Sequence, residues 1–271
     1  MAVYFLSDLH LGAPYFPDSK EAEKRVVDFL ESIRKDAEAI YLLGDVLDYW
    51  YEYRYVVPKG YVRFFGKLAE LVDSGVKITW MLGNHDIWLF DYLPKEIGLR
   101  VVDGPITEEI NGKKFLLAHG DGLGKVPRTF RILRALFRNR ICRWLYAGIH
   151  PRWTVPFANS WSRHSRESHS EDGAVTTPER PEINPYLARS IQNLRDYSLR
   201  HHATHPEISH YIYGHLHHPH HSHLLPETGD TTAESKEDSK TGTPTFTILG
   251  DWISNFTYAR FDGDTLSLQK L

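Results

Sequence analysis

Short apolar runs recur along this chain, and each one stops abruptly at polar residues. Val3–Leu6 runs into Ser7, Asp8, Leu9 and His10, and Ala39–Leu43 into Gly44 and Asp45. Val76–Leu82 precedes Gly83, Asn84, His85 and Asp86, while Phe115–Ala118 precedes His119, Gly120 and Asp121. His210–Tyr213 leads to Gly214, His215, Leu216 and His217, and Thr245–Leu249 to Gly250, Asp251 and Trp252. Runs this short, rich in Val, Ile, Leu and Tyr and closed by glycine, predict strands buried on both faces. Amphipathic spacing over Lys20–Lys35, behind Ser19 as a cap, and over Tyr61–Ser74 predicts two helices between them. Strand–helix alternation implies an α/β fold, with its chemistry at loops leaving the carboxyl ends of the strands.

Two hairpins add antiparallel pairs. Asn111-Gly112 joins Ile106–Ile110 to Lys113–Leu117, and Asp262-Gly263 joins Phe256–Phe261 to Asp264–Leu268. The sheets are therefore expected to be mixed, and two sheets forming a sandwich flanked by helices is the architecture this order favours. One domain should span residues 1–271. Inside it, residues 125–200 are expected to form a helical lid insertion. Residues 226–244, rich in Thr, Glu, Asp, Ser and Lys, are expected to form a mobile loop insertion.

Composition narrows the class. A chain of 271 residues with 41% hydrophobic and 25% charged positions can bury one large core. No apolar stretch approaches the roughly 18–20 residues that cross a bilayer. The first residues carry no basic region and reach a carboxylate at Asp8, unlike a signal peptide. Cys142 is the single cysteine, which excludes an internal disulfide framework and fits a reducing compartment, so a cytoplasmic location is expected. The net charge of −3 hides an asymmetry: from Gly122 to Arg166 there is no Asp or Glu, yet ten Lys or Arg. A basic segment in an acidic body suggests an anionic partner.

If the strand ends face one cleft, Asp8, His10, Asp45, Asn84, His119, His215 and His217 converge there. Carboxylates, imidazoles and an amide oxygen suit Mn²⁺, Fe or Zn²⁺, and the lack of thiolates argues against a structural zinc site. Asp8 and His10, like His215 and His217, stand two apart and share one side of an extended segment. Asp48 and Asp121 either support such ligands or are loop carboxylates. His218, His220, His221 and His223 exceed what two metals need and are expected to lie in a solvated loop.

The ordered set Asp8-x-His10, Gly44-Asp45-x-x-Asp48, Gly83-Asn84-His85-Asp86, His119-Gly-Asp121 and Gly214-His215-Leu-His217 resembles the calcineurin-like metallophosphoesterases. That resemblance implies two divalent ions in an αββα fold. Asp8, His10, Asp45 and His217 would hold one, and Asp45, Asn84, His119 and His215 the other, with Asp45 bridging. It implies hydrolysis by a metal-activated hydroxide. His85 would be a catalytic residue stabilising the transition state or protonating the leaving oxygen, and Asp86 would orient it.

In the basic segment Phe130, Leu133, Phe137, Ile141, Trp144 and Leu145 recur at three- and four-residue steps, a stripe if Thr129–Tyr146 is one helix. Arginines flank the stripe, as a helix accepting an anionic amphiphile would require. His119-Gly-Asp-Gly-Leu-Gly124, Phe137-Arg-Asn-Arg140, His150-Pro, Trp161-Ser-Arg-His-Ser-Arg166 and Leu249-Gly-Asp-Trp252 are similar to the UDP-2,3-diacylglucosamine hydrolases of lipid A biosynthesis. This similarity implies cleavage of the UDP-sugar diphosphate to UMP and 2,3-diacylglucosamine 1-phosphate. It also implies Mn²⁺ as the metal and a peripheral position on the cytoplasmic face of the inner membrane. Arg128, Arg131, Trp161, Arg163 and Arg166 are the expected substrate contacts. The chain departs from the best-known branch, which has Gly-Asn-Arg-Asp where this one has His85, and Val126-Pro127 replaces an acidic pair. A phosphodiesterase or nuclease is the alternative within enzymes, although no nucleic acid is expected, because the basic residues are interleaved with large apolar ones. A metal-free binding scaffold of the same fold would be expected to have lost ligands.

Overall fold

The computed structural model describes residues 1–158, 160, 184–225 and 243–271. Trp161, Arg163 and Arg166, and nearly all of the 226–244 insertion, lie outside the described residues.

Three of the apolar runs become parallel neighbours in a first sheet: β1 (Ala2–Leu6), β2 (Ala37–Leu42) and β3 (Lys77–Met81). β4 (Arg100–Val102) extends it in parallel, and the hairpin of β10 (Thr257–Phe261) and β11 (Leu266–Lys270) adds antiparallel strands on the far side of β1. A second sheet runs in the order β5 (Ile106–Ile110), β6 (Lys113–Ala118), β7 (Ile208–Tyr213), β9 (Thr245–Ile248), β8 (His220–His223). Both expected hairpins form, so both sheets are mixed.

Continuous apolar runs arise because alternate residues of a strand serve different layers. In β1, Val3 and Phe5 face the second sheet and pack with Phe115, Leu117, Ile212 and Phe261. Tyr4 and Leu6 face outward, against α1 (Ser19–Ile33) and α2 (Val62–Asp73), through Val26, Phe29, Leu30, Phe64 and Leu68. On the far face of the second sheet, Leu116, Tyr211, Tyr213 and Phe246 pack against Leu194 and Ile191 of α6 (Pro185–Thr204). The result is a helix–sheet–sheet–helix stack. Each such side chain contributes roughly 1.5–3 kcal/mol on burial, so the layers hold the strand ends in fixed relation.

Helix ends differ slightly from expectation. Asp18, not Ser19, caps α1, its carboxylate accepting the backbone N–H groups of Lys20 and Glu21. A carboxylate also suits the positive end of the helix dipole. The 129–146 stretch is not one helix: α4 (Arg128–Arg138) and α5 (Arg140–Ala147) meet at Asn139, whose side chain caps α5. A short α3 (Tyr92–Glu96) lies between β3 and β4, and residues 151–158 are helical. Among the described residues no helix is long and apolar enough to cross a membrane.

Candidate metal centre

Main-chain bonds stitch the loops leaving β1 and β2, where His10 N donates to Asp45 O and Asp8 N to Gly44 O, and those leaving β6 and β7, where Gly214 N donates to His119 O. His85 N on Asp45 Oδ1 ties in the loop after β3, and His215 N on Asp8 Oδ2 links the two sheets. That stitching brings Asp8, His10, Asp45, Asn84, His119, His215 and His217 into one cleft. Close approach depends on glycine: a Cβ on Gly83 would overlap the Asp45 carboxylate, and one on Gly214 the Ser7 hydroxyl.

Among the described residues the ligand-type atoms crowd in three overlapping groups, Asp8 with His10 and His217, His10 with Asp45 and His85, and Asp45 with His119 and His215, so that His10 and Asp45 link them. His217 Nε2 and His10 Nε2 lie 3.4 and 3.8 Å from Asp8 Oδ1, and His10 Nε2 is 3.7 Å from Asp45 Oδ2. His119 Nε2 lies 3.3 Å from the same Asp45 oxygen and 3.2 Å from Asn84 Oδ1, with His215 in the same group. Asp8, His10, Asp45 and His119 are all buried.

Hydrogen bonds fix which nitrogen faces inward. His10 Nδ1 donates to Asp48 Oδ1 at 2.9 Å, His119 Nδ1 to the Leu43 carbonyl at 2.8 Å, and His217 Nδ1 to Asp251 Oδ2 at 3.2 Å. A carboxylate or carbonyl only accepts, so each neutral ring carries its proton on Nδ1 and turns the Nε2 lone pair toward the cleft. Lone pairs thus face carboxylate oxygens a few ångströms away. Asp8 Oδ1 is fully buried there without a hydrogen bond. Such convergence of acceptors is repulsive unless a cation or proton stands among them, and nitrogen and oxygen donors of this kind suit divalent first-row ions. The residues present fit two such ions.

Charge follows the same pattern. Without a cation among them, protons take its place: burial works against the ionised form of Asp45, but His119, His85 and His10 in their protonated forms outweigh that and hold its carboxyl well below the ordinary range. Asp45 in turn raises His119 well above the ordinary imidazole range. For His215, burial in the company of His119 pushes the imidazole down to about 4, which keeps it neutral.

The backbone is strained at the same place. Of eight non-glycine residues with left-handed φ among the described residues, five are Asp8, His10, Asp45, His215 and His217. Each costs roughly 1–2 kcal/mol against the right-handed alternative, and such strain gathers at functional sites.

Three neighbouring carboxylates differ in use. Asp48 supports His10, and its carbonyl accepts from Nδ1 of His85 at 2.9 Å. Asp86 does not orient His85 as the sequence implied. Its carboxylate accepts the N–H groups of Val46, Gly83 and the Trp80 indole, clamping the β2 and β3 loops together, because those three donors surround it in the core. Burial and the nearby Asp45 raise its carboxyl to about 6. Asp121 pairs with Arg134 of α4 at 2.8 Å.

Beside the cluster, the loop following His119 and Asp121 forms one wall of a cavity of about 580 Å³. α4 supplies the other wall with Phe130, Arg131, Arg134 and Arg138, and Lys125 completes a strongly basic lining. Arg131 therefore lies at the cavity, while Arg128 sits exposed at the start of α4. The apolar stripe does not bury itself. Phe137 and Tyr146 pack on Trp88, yet Ile141, Trp144 and Leu145 are 68, 74 and 57% exposed. Two features escaped sequence reasoning: the contact of Asp251 with His217, and the Tyr49, Tyr51 and Tyr53 hydroxyls that bond to Tyr146, Arg143 O and Thr154. The alternation of Tyr49-x-Tyr51-x-Tyr53 on one extended segment was the available signal for the second.

A family model described as calcineurin-like phosphoesterase matches residues 1–219. UDP-2,3-diacylglucosamine hydrolase of Porphyromonas gingivalis is 43% identical over 270 residues, covering 99% of this chain and 97% of the relative. The protein of the same name from Nitrosococcus oceani is 27% identical over 219 residues, covering 81% and 80%. Among solved structures, the E. coli phosphoesterase Yfce matches with a TM-score of 0.41 at 18% identity, covering 100% of this chain and 93% of that one.

Proposed function

This chain belongs to the calcineurin-like phosphoesterases, and from that premise we propose that it hydrolyses the diphosphate of UDP-2,3-diacylglucosamine to UMP and 2,3-diacylglucosamine 1-phosphate. Full-length identity of 43% to a hydrolase of that name carries the proposal. The basic cavity beside the cleft supports it, since Lys125, Arg131, Arg134 and Arg138 suit a diphosphate and Phe130 suits an apolar group. Arg128, Trp161, Arg163 and Arg166 complete the proposed substrate contacts.

Family membership implies divalent metals, and in this proposal they are two Mn²⁺ ions. Asp8, His10, Asp45 and His217 would hold one, and Asp45, Asn84, His119 and His215 the other. When bound, such ions lower the pKa of water and neutralise charge on phosphoryl oxygens. The protein's own part is to hold the donors in place. Asp48 keeps His10 in the tautomer whose Nε2 lone pair faces the cleft, and the Leu43 carbonyl does the same for His119. The His85 amide donates to Asp45 Oδ1, leaving Oδ2 toward His10 and His119. With its Nδ1 donating to the Asp48 carbonyl, His85 has Nε2 left to meet a substrate oxygen. That atom donates only in the imidazolium form, which burial opposes more than the Asp45 and Asp48 carboxylates favour it, so the free imidazole is held below its ordinary range.

The proposal extends to location. Residues 125–200 act as a lid whose exposed Trp144, Trp153 and Phe157, beside Arg140 and Arg152, meet the cytoplasmic face of the inner membrane peripherally. The test is UMP release from UDP-2,3-diacylglucosamine with Mn²⁺, in wild type beside Asp45→Ala and His85→Ala. Release by wild type with near-complete loss in Asp45→Ala is expected. Turnover of a generic phosphodiester without UMP release would remove the substrate and leave the chemistry.

A further inference from the structure

The cleft has a support that comes from the far end of the chain. β9 runs into Leu249, Gly250 and Asp251, and Asp251 is 4% exposed. Its two oxygens do different work. Oδ1 accepts the backbone N–H groups of Ser254 and Asn255, each at 2.9 Å, and of Ile253 at 3.2 Å, folding residues 251–255 into a tight turn. The Ser254 hydroxyl lies between the two oxygens at 3.3 and 3.4 Å. Oδ2 accepts from Nδ1 of His217 at 3.2 Å.

The same turn reaches the cleft in two more ways. Asn255 Nδ2 donates to the His217 carbonyl at 2.9 Å, and Trp252 N donates to the Asp8 carbonyl at 3.1 Å. Trp252 itself is locked by its indole N–H on Thr257 O and by its packing against Phe29. Asp8 and His217 both hold left-handed backbone, with φ of 54° and 53°. Each is thus gripped from behind, through its main chain, by one short turn.

We propose that Asp251 is a positioning residue for His217, with one carboxylate oxygen folding the 251–255 turn while the other holds the imidazole protonated on Nδ1, so that its Nε2 lone pair faces Asp8 and the divalent ion held there. The inference rests on the metal assignment under Proposed function, but not on the identity of the substrate.

An amide cannot do both tasks. Asp251→Asn has one oxygen, and three backbone N–H groups compete for it. With that oxygen in the turn, the –NH₂ group faces His217 and can only donate. His217 must then accept at Nδ1 and carry its proton on Nε2, pointing at Asp8, where a metal would need the lone pair. Loss of such a supporting partner typically costs 10–100-fold in metal affinity.

The experiment uses the full chain and three readouts besides activity. The first is ¹⁵N NMR of histidine tautomers in metal-stripped wild type, with His217 assigned by its absence in His217→Gln. The second is Mn²⁺ binding by calorimetry and EPR, and the third is thermal unfolding of the stripped proteins. Wild type is expected to show His217 protonated on Nδ1. Asp251→Asn is expected to unfold near the wild-type temperature, to move the His217 proton to Nε2, and to bind one of two Mn²⁺ ions 10–100-fold more weakly.

A wild-type His217 protonated on Nε2 would overturn the proposal outright, and that measurement stands even if the variant does not fold. So would wild-type Mn²⁺ affinity at both sites in a folded Asp251→Asn. If wild type binds two Mn²⁺ ions and the variant loses one, yet wild type releases no UMP, the substrate reading fails and the positioning role stands. If wild type releases UMP with Mn²⁺ and Asp251→Asn matches it in metal affinity and tautomer, the positioning role fails alone.

Discussion

The cleft at the strand ends and the basic insertion beside it carry their chemistry in opposite ways. In the cleft, Asp8, His10, Asp45 and His119 are buried, and every inward-facing imidazole whose Nδ1 is bonded is held by a carboxylate or carbonyl behind it. On α4, α5 and residues 151–158 the arrangement is inverted, with large apolar side chains outward. Trp144 and Trp153 stand open to solvent, and no acidic residue occurs between Gly122 and Arg166, so that the acidic partners of Arg134 and Arg138 are Asp121 and Asp103, from outside the segment. One region stores strain and buried charge in a fixed frame, as a metal site requires. The other keeps apolar surface and positive charge available, as contact with an anionic amphiphile or lipid surface requires. Among the described residues the joints between the two include Arg134 on Asp121, Arg138 on Asp103, Arg143 over the Phe90 ring, Trp88 on the Phe137 carbonyl, and the row of tyrosines from 49 to 53.

Removing a donor from the fixed region should have the largest effect. His119→Ala deletes the imidazole between Asp45 and Asn84, and the several kcal/mol a metal supplies to charge stabilisation corresponds to a loss of about a thousandfold in kcat. Steady-state kinetics with metal analysis checks this, and a loss below tenfold with full metal content would detach His119 from the centre. The exposed region should answer differently. Trp144→Ser combined with Trp153→Ser is expected to weaken binding to anionic phospholipid vesicles by roughly 10–100-fold, since partial burial of the two rings at the interface contributes about 1.5–3 kcal/mol together. Flotation measures it, and turnover of micellar substrate should change less than vesicle binding does. Equal losses in the two assays would mean that these tryptophans serve the cleft.

Contacts between the regions give smaller effects. Arg134→Ala leaves the buried Asp121 carboxylate without its partner, and a destabilisation of about 1–3 kcal/mol is expected in urea unfolding. If stability is unchanged but KM rises, Arg134 belongs to the substrate rather than to the joint. Tyr51→Phe removes only the bond to the Arg143 carbonyl, at roughly 0.5–1.5 kcal/mol. Faster amide exchange confined to α5 is the expected sign, and uniform exchange would show that the tyrosine row does not fasten the insertion.

Much of the cleft was legible because its parts are local. Asp8 and His10, or His215 and His217, sit within four residues of the end of β1 or β7, and a buried run followed by metal-type side chains can be seen in one short window. The left-handed backbone at five of those residues was not legible, because it depends on loops from different strands pinning one another. Asp86 shows the limit clearly: its place beside His85 suggested a partner, yet Val46, distant in sequence, and Trp80 and Gly83 nearer by take its oxygens instead. Asn139 ended α4 because its side chain could satisfy the first amides of α5, a competition that apolar periodicity alone does not register.

The sequence by itself determined most of the strands and their burial, though not β4 or the β8 strand at His220–His223, together with both hairpins, the donor-type residues that meet in the cleft and the basic segment, since each rests on residue type and short spacing. Tertiary structure alone decided which sheet each strand joins, that α6 closes the second sheet, and that the apolar stripe stays outward. It also decided that a turn after β9 grips His217 and Asp8, across separations of 34 and more than 200 residues. The physical reason is common to all of these: hydrogen bonds and packing between segments far apart in the chain are settled only when the layers close, and no local pattern encodes which distant partner will be there.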